Sequence, residues 1–131
     1  MKKVIFDLDG TLALIDKRRA ISTKDNGKMD WDTFFDPKNI DLDQPHQAVI
    51  DMAKVLKDSG HMIVIFSGRS KATKDATNAW LKKFDVPCDV LKMRPTSSDF
   101  KFMPDDDLKK KWFNDLFPTQ DHLDDVVCVF D

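Results

Sequence analysis

Four short runs of apolar, mostly β-branched or aromatic residues punctuate the chain: Val4-Ile5-Phe6, Met62-Ile63-Val64-Ile65-Phe66, a run around Cys88-Asp89-Val90-Leu91, and Val126-Val127-Cys128-Val129-Phe130. Runs this short, bounded by charged or turn residues, read as strands buried on both faces. Between them the apolar positions recur every three or four residues, which predicts helices. Val49, Met52, Ala53 and Leu56 share one face of a helix that opens at Pro45 and stops at Ser59-Gly60. Ala72, Ala76, Ala79, Trp80 and Phe84 mark a second helix over 71–84, with Trp80 in the core. Leu108, Trp112 and Leu116 mark a third, begun at Pro104, where Asp105, Asp106 and Asp107 complement the helix dipole. Strands alternating with helices predict an α/β fold: a three-layer, Rossmann-like domain whose mostly parallel sheet is flanked by helices.

Two stretches break the pattern. Residues 16–30 are polar and charged without sustained periodicity, and read as a loop. Trp31, Phe34, Phe35 and Pro37 then form an aromatic cluster among aspartates. The simplest reading is that these rings cover the sheet edge; stacking of an exposed ring on a nucleobase is the alternative.

At 131 residues, with 41% hydrophobic positions, residues 1–131 make one domain able to bury a core. Lys and Arg number 21 against 23 Asp and Glu, a formal charge of −2, so no global basic character marks a long nucleic-acid footprint. A local basic patch for one terminal phosphate stays compatible with this balance. Cys88 and Cys128 are too few and too far apart for a disulfide scaffold, and no signal peptide or long apolar segment is present. The expectation is a cytoplasmic protein with reduced thiols and no membrane partner. His46, His61 and His122 are dispersed without metal-ligand spacing.

The candidate chemistry sits where strands end. Beyond Val4-Ile5-Phe6 come Asp7-Leu8-Asp9-Gly10-Thr11, at the end of a parallel strand where ligands of open α/β sheets bind. If the backbone stays extended from Asp7 to Asp9, both carboxylates face one side and require a cation, most economically Mg²⁺. A calcium loop is a poor match, because Gly10 follows Asp9 directly with no third oxygen ligand between them. Ser67-Gly68-Arg69 closes the second strand, and Arg69 would offer bidentate phosphate recognition at a helix start. Arg94 stands at the exit of the third strand, Lys109 on the third helix, and Asp131 after the last strand.

This order of motifs resembles the haloacid dehalogenase-like (HAD) phosphotransferases: strand-Asp-x-Asp-Gly-Thr, strand-Ser-Gly-Arg, a helix-borne lysine and strand-Asp. The finer resemblance is to the 3′-phosphatase domain of phage-type polynucleotide kinase-phosphatases. It rests on Arg18 nine residues after Asp9, Ser67-Gly68-Arg69, Arg94, and Asp105 four before Lys109, while Met103 stands where that branch usually has Arg. No G-x-x-x-x-G-K-[ST] occurs, so residues 1–131 carry no 5′-kinase of the P-loop type. The resemblance implies a Mg²⁺-dependent phosphomonoesterase without a large cap, acting on 3′-phosphorylated nucleic-acid ends. Asp7 would be the nucleophile that forms an aspartyl-phosphate, and Asp9 the general acid and base, with a raised pKa. Ser67 and Lys109 would hold the phosphoryl group; Thr11, Arg18, Gly68, Arg69 and Arg94 would bind substrate; Asp7, Asp9 through its carbonyl, and Asp131 would hold the metal. The family continues past the aspartate at 131 with a second acid. A chain cut within that motif is therefore expected, with weak metal affinity and low turnover for these residues alone. Two other readings remain: a HAD phosphatase for small substrates such as nucleoside monophosphates, and a non-catalytic domain that binds phosphate ends or a partner. Base preference, RNA against DNA, and oligomeric state are left open.

Overall fold

The computed structural model describes residues 1–131. Its frame is a four-stranded parallel sheet in the order β5-β4-β1-β6, formed by β1 (Lys3–Asp7), β4 (Met62–Ser70), β5 (Val90–Arg94) and β6 (Val126–Phe130). Alternation along β1 divides the interior. Val4 and Phe6 face a core that takes Ile50 and Ala53 from α3 (Gln47–Asp58) and Trp80 and Leu81 from α4 (Lys74–Lys83). Ile5 faces the other side, against Leu108 and Trp112 of α5 (Asp105–Leu116) and Phe117 beyond it. The expected three layers and parallel sheet are thus present, and β1 and β4 are the two strands with neighbours on both sides.

A second, two-stranded ribbon joins β2 (Ala13–Leu14) antiparallel to β3 (Gln44–Pro45). It closes off a small cover made of α1 (Asp16–Ser22), α2 (Trp31–Phe34) and a 3₁₀ turn, Pro37–Leu42. Residues 16–30 are therefore not all loop. The helix escaped notice because the side chains that α1 buries are Arg18 and Ser22, so its inner face carries no apolar period. Phe34 is buried within the first core, whereas Trp31 stays 60% exposed. The aromatic cluster covers Arg18 rather than the sheet edge: the Arg18 guanidinium lies 4.3 Å from the Phe34 ring centroid.

Other boundaries moved for local reasons. Pro45 belongs to the ribbon, and the helix after it starts at Gln47. The strand β4 runs on through Ser67-Gly68-Arg69 to Ser70, whose hydroxyl caps a 3₁₀ turn, Lys71–Thr73, so α4 opens at Lys74. The third strand comprises Val90–Arg94; Asp89, expected inside it, instead accepts the Ile63 amide at 2.8 Å. The strand β6, expected to be buried, lies at the sheet edge and leaves Val127 and Val129 about half exposed. Cys88 and Cys128 are free thiols. No helix is long and apolar enough to cross a membrane.

Candidate active site

Asp7 ends β1 on the same side as Ile5, so it points at α5. There the Lys109 ammonium meets its Oδ1 at 2.6 Å. Lys109 also lies 3.5 Å from Asp105 and 4.0 Å from Asp131. Burial raises the Asp7 carboxyl and Lys109 opposes that rise; the nearby Asp131 carboxyl adds to it, and the balance leaves Asp7 at about 6. For Lys109, burial alone would favour the neutral amine. Asp7, Asp105 and Asp131 outweigh it and raise the ammonium above the usual lysine value. Ser67, buried on β4, accepts the Arg69 amide at 3.2 Å, which leaves its hydroxyl proton for another acceptor. A cavity of about 270 Å³ opens beside Asp7 and Lys109, lined also by Lys110 and Asp131 and by apolar Ile5, Phe66 and Phe113 among others, and Ser67 is not part of its lining.

Asp9 does not share a side with Asp7. The chain turns at Leu8, whose carbonyl accepts the amides of Thr11, Leu12 and Ala13, and Gly10 takes φ +84°, which a side chain would strain. The Asp9 carboxylate consequently meets two buried guanidinium groups. Its Oδ1 accepts Arg69 Nε at 2.9 Å and Nη2 at 2.5 Å, and Arg18 Nη2 at 3.0 Å. Burial pushes the Asp9 pKa up, but the charges and hydrogen bonds of Arg69 and Arg18 outweigh it and hold the group below the ordinary carboxylate value. The raised pKa expected at Asp9 is found at Asp7 instead.

Both arginines are completely buried and pinned from behind by Asp43, a residue that sequence reasoning missed. Asp43 accepts Arg18 Nε at 2.9 Å, Arg18 Nη2 at 3.0 Å and Arg69 Nη2 at 2.8 Å, and its carbonyl accepts the Trp80 indole at 3.0 Å. Arg18 Nη1 donates to the Phe34 carbonyl and Arg69 Nη1 to Thr77. Nothing in Ile40-Asp41-Leu42-Asp43 distinguishes the buried Asp43 from the exposed Asp41; only the pairing with two distant arginines does.

Arg94 is likewise engaged with protein. It ends β5 and donates to the carbonyls of Gly68 (3.0 Å), Phe100 (2.6 Å) and Met103 (2.7 Å) and to Asp105 Oδ1 (3.1 Å), tying the strand exit to the start of α5. Gly68 makes room for that junction, since a Cβ there would lie 1.8 Å from Asp105 Oδ1. The expected substrate ligands Arg18, Gly68, Arg69 and Arg94 therefore form the frame of the site. Thr11 is mostly buried, and its carbonyl accepts His46 Nδ1 at 2.9 Å, which gives the otherwise unassigned His46 a positioning contact.

For a metal, the structure brings the Asp7 and Asp131 carboxylates to one end of the sheet but sends the Asp9 side chain elsewhere. No group of three or more His, Cys, Asp or Glu side chains is assembled to hold an ion. Two carboxylates and the Asp9 carbonyl still suit Mg²⁺, which keeps several waters and commonly takes only one or two carboxylates along with substrate phosphate.

A family model described as the polynucleotide kinase PNKP phosphatase domain matches residues 1–131. Among solved structures, a chain of the Pnkp1/Rnl/Hen1 complex is similar with a TM-score of 0.64 and 31% identity, over 86% of this chain and 33% of that one. A second, from the Pnkp1/Rnl/Hen1 RNA repair complex, gives a TM-score of 0.65 and 30% identity over 87% and 31%. This chain thus spans about a third of the length of those chains. A search of curated proteins finds no significant match.

Proposed function

The chain belongs to the family of polynucleotide kinase PNKP phosphatase domains, and we propose that it removes phosphate from 3′-phosphorylated nucleic-acid ends through an aspartyl-phosphate. The observation that carries this reading is the Asp7–Lys109 contact at the end of β1, open to a cavity that both side chains line. An anion with a cation at 2.6 Å at the mouth of a cavity is suited to a phosphoryl group that must be attacked and neutralised at once.

In this reading an Asp7 oxygen forms the new bond to phosphorus as the bond from phosphorus to the 3′-oxygen breaks, and the electron pair leaves with that oxygen. Lys109 and Ser67 donate to the phosphoryl oxygens. The three guanidinium bonds to Asp9 all end on Oδ1, so Oδ2 is the oxygen that passes a proton to the departing 3′-oxygen. Because the guanidinium groups favour ionised Asp9, the approach of the dianionic phosphate is what raises its pKa enough to carry that proton. Asp9 then takes a proton from the water that attacks phosphorus and releases Asp7. Asp7, Asp131 and the Asp9 carbonyl would hold Mg²⁺, which supplies charge neutralisation at the transferred group when bound. Arg18, Arg69, Asp43 and Arg94 keep these groups in place.

The test is phosphate release from a 3′-phosphorylated oligonucleotide with Mg²⁺, with Asp7→Asn as the blank. Release in the parent and none in the variant is expected. Turnover that persists in a folded Asp7→Asn protein refutes the nucleophile assignment, and faster hydrolysis of nucleoside monophosphates than of the oligonucleotide refutes the polymer substrate.

A further inference from the structure

Of the three tryptophans, Trp80 and Trp112 are buried at 1% and 8% exposure, while Trp31 is 60% exposed. A single exposed apolar residue is ordinary and calls for no explanation. Trp31 differs in how firmly it is held. Phe35 stacks against it at 5.8 Å with planes 17° apart, and Phe34 meets it edge-on at 5.6 Å. Asp30 caps the start of α2, accepting both the amide and the hydroxyl of Thr33. The indole is therefore braced by two neighbouring rings before anything binds it, which lowers the ordering cost that a free ring would impose on a ligand.

Its place is as telling as its rigidity. Phe34 touches Trp31 on one side and the Arg18 guanidinium on the other, and Arg18 Nη2 ends on Asp9. One phenyl ring and one guanidinium separate the exposed indole from the carboxylate that would serve the leaving 3′-oxygen. The surrounding stretch carries no excess of positive charge: Lys24, Lys28 and Lys38 stand against Asp25, Asp30, Asp32 and Asp36. Such a surface has little pull on phosphate, but it suits the flat apolar face of a nucleobase.

We propose that Trp31 is a stacking platform for a base of the single strand whose 3′-phosphate lies at Asp7, contributed by a nucleotide upstream of the terminal one. The proposal rests on the polynucleotide 3′-phosphatase reading and adds what makes a polymer a better substrate than a mononucleotide. Stacking accepts any base, so Trp31 would select for chain length rather than sequence.

The experiment uses the full chain and an unlabelled single-stranded oligonucleotide. Tryptophan emission should be quenched on binding, since Trp31 alone of the three indoles is open to a base. By fluorescence anisotropy of a labelled strand, Trp31→Ala should bind ~10- to 100-fold more weakly and Trp31→Phe should retain most of the affinity. The effect of the substitution should change little between low and moderate salt, because stacking on an uncharged ring releases no counterions. In kinetics, the ratio of kcat/KM for a 3′-phosphorylated oligonucleotide to that for a 3′-phosphorylated mononucleotide should fall in Trp31→Ala by a similar factor. Circular dichroism and the melting temperature, which an exposed ring barely affects, confirm that the variant is folded. Equal oligonucleotide affinity in parent and Trp31→Ala overturns the proposal, as does an unchanged kinetic ratio. If the protein hydrolyses no 3′-phosphate while Trp31→Ala still weakens strand binding, the platform stands and the catalytic reading falls.

Discussion

Replacing Asp43 by Asn tests how the site is held. Asp43 is completely buried and accepts three guanidinium hydrogen bonds between 2.8 and 3.0 Å. With Asp9 it balances the two positive charges of Arg18 and Arg69, which are as deeply buried. Asparagine has nearly the same shape but removes one negative charge, and its amide group would point donors at donors. The result is an uncompensated cation inside the protein, a change that costs about 3–5 kcal/mol. For a domain of this size that corresponds to a fall in Tm of roughly 10–20 °C. Urea unfolding followed by circular dichroism gives the loss directly, provided the slope m matches the parent. Adding Arg18→Gln to Asp43→Asn removes the surplus charge and leaves the Arg69–Asp9 pair balanced. The double variant should therefore lose at least about 1 kcal/mol less than the sum of the two single losses. Strict additivity, or a loss below about 1 kcal/mol in Asp43→Asn, would refute the account of a charge-balanced frame.

Two further outcomes follow from the same geometry. In Gly68→Ala the new Cβ drives the Asp105 carboxylate away; because that group is a mobile, half-exposed side-chain end, stability should fall by only about 1 kcal/mol while kcat/KM falls more, as Asp105 loses Arg94 and Lys109. In the proposed mechanism Asp7 must be ionised to attack, and burial pushes its carboxyl up to about 6, so kcat/KM should decline as pH drops through about 6; Lys109→Met, which removes an influence that lowers that pKa, should move the decline to higher pH in a pH–rate profile. A limb that stays put in Lys109→Met would separate it from Asp7.

Much of the frame could be read from the chain because its signals are local. Val4-Ile5-Phe6 and Met62–Phe66 announce buried parallel strands by composition, and Leu108, Trp112 and Leu116 announce α5 by spacing. Asp7 and Lys109, 102 positions apart, are joined in the sequence only through the resemblance of their motifs to a known family, since no local spacing links them. What escaped is what the protein buries against the usual rule. The helix α1 hides Arg18, and Asp43 looks like any acid of a polar stretch until two arginines close on it. The direction of the Asp9 side chain was misread for a related reason: its partners override strand alternation once the chain turns at Leu8. The arginines were expected to face substrate because an arginine near a site reads as an anion receptor, and only the three-dimensional pairing shows their donors already taken.

The ribbon that pairs Leu14 with Gln44 gives the cover a common doorway: the chain leaves and re-enters the domain at one place. For a segment closed in this way, added length is nearly free, about 0.6 kcal/mol of closure entropy per doubling. The sheet, Asp7 and Lys109 do not register the change. The demand on whatever lies between the two ends is that it bring Arg18 to Asp9 and return a carboxylate to Arg18 and Arg69. The surface above Asp9, Trp31 included, is thus the part of the molecule most free to be rewritten, by insertion near residues 24–28 or by exchange of a ring, without disturbing the Asp7–Lys109 contact beneath.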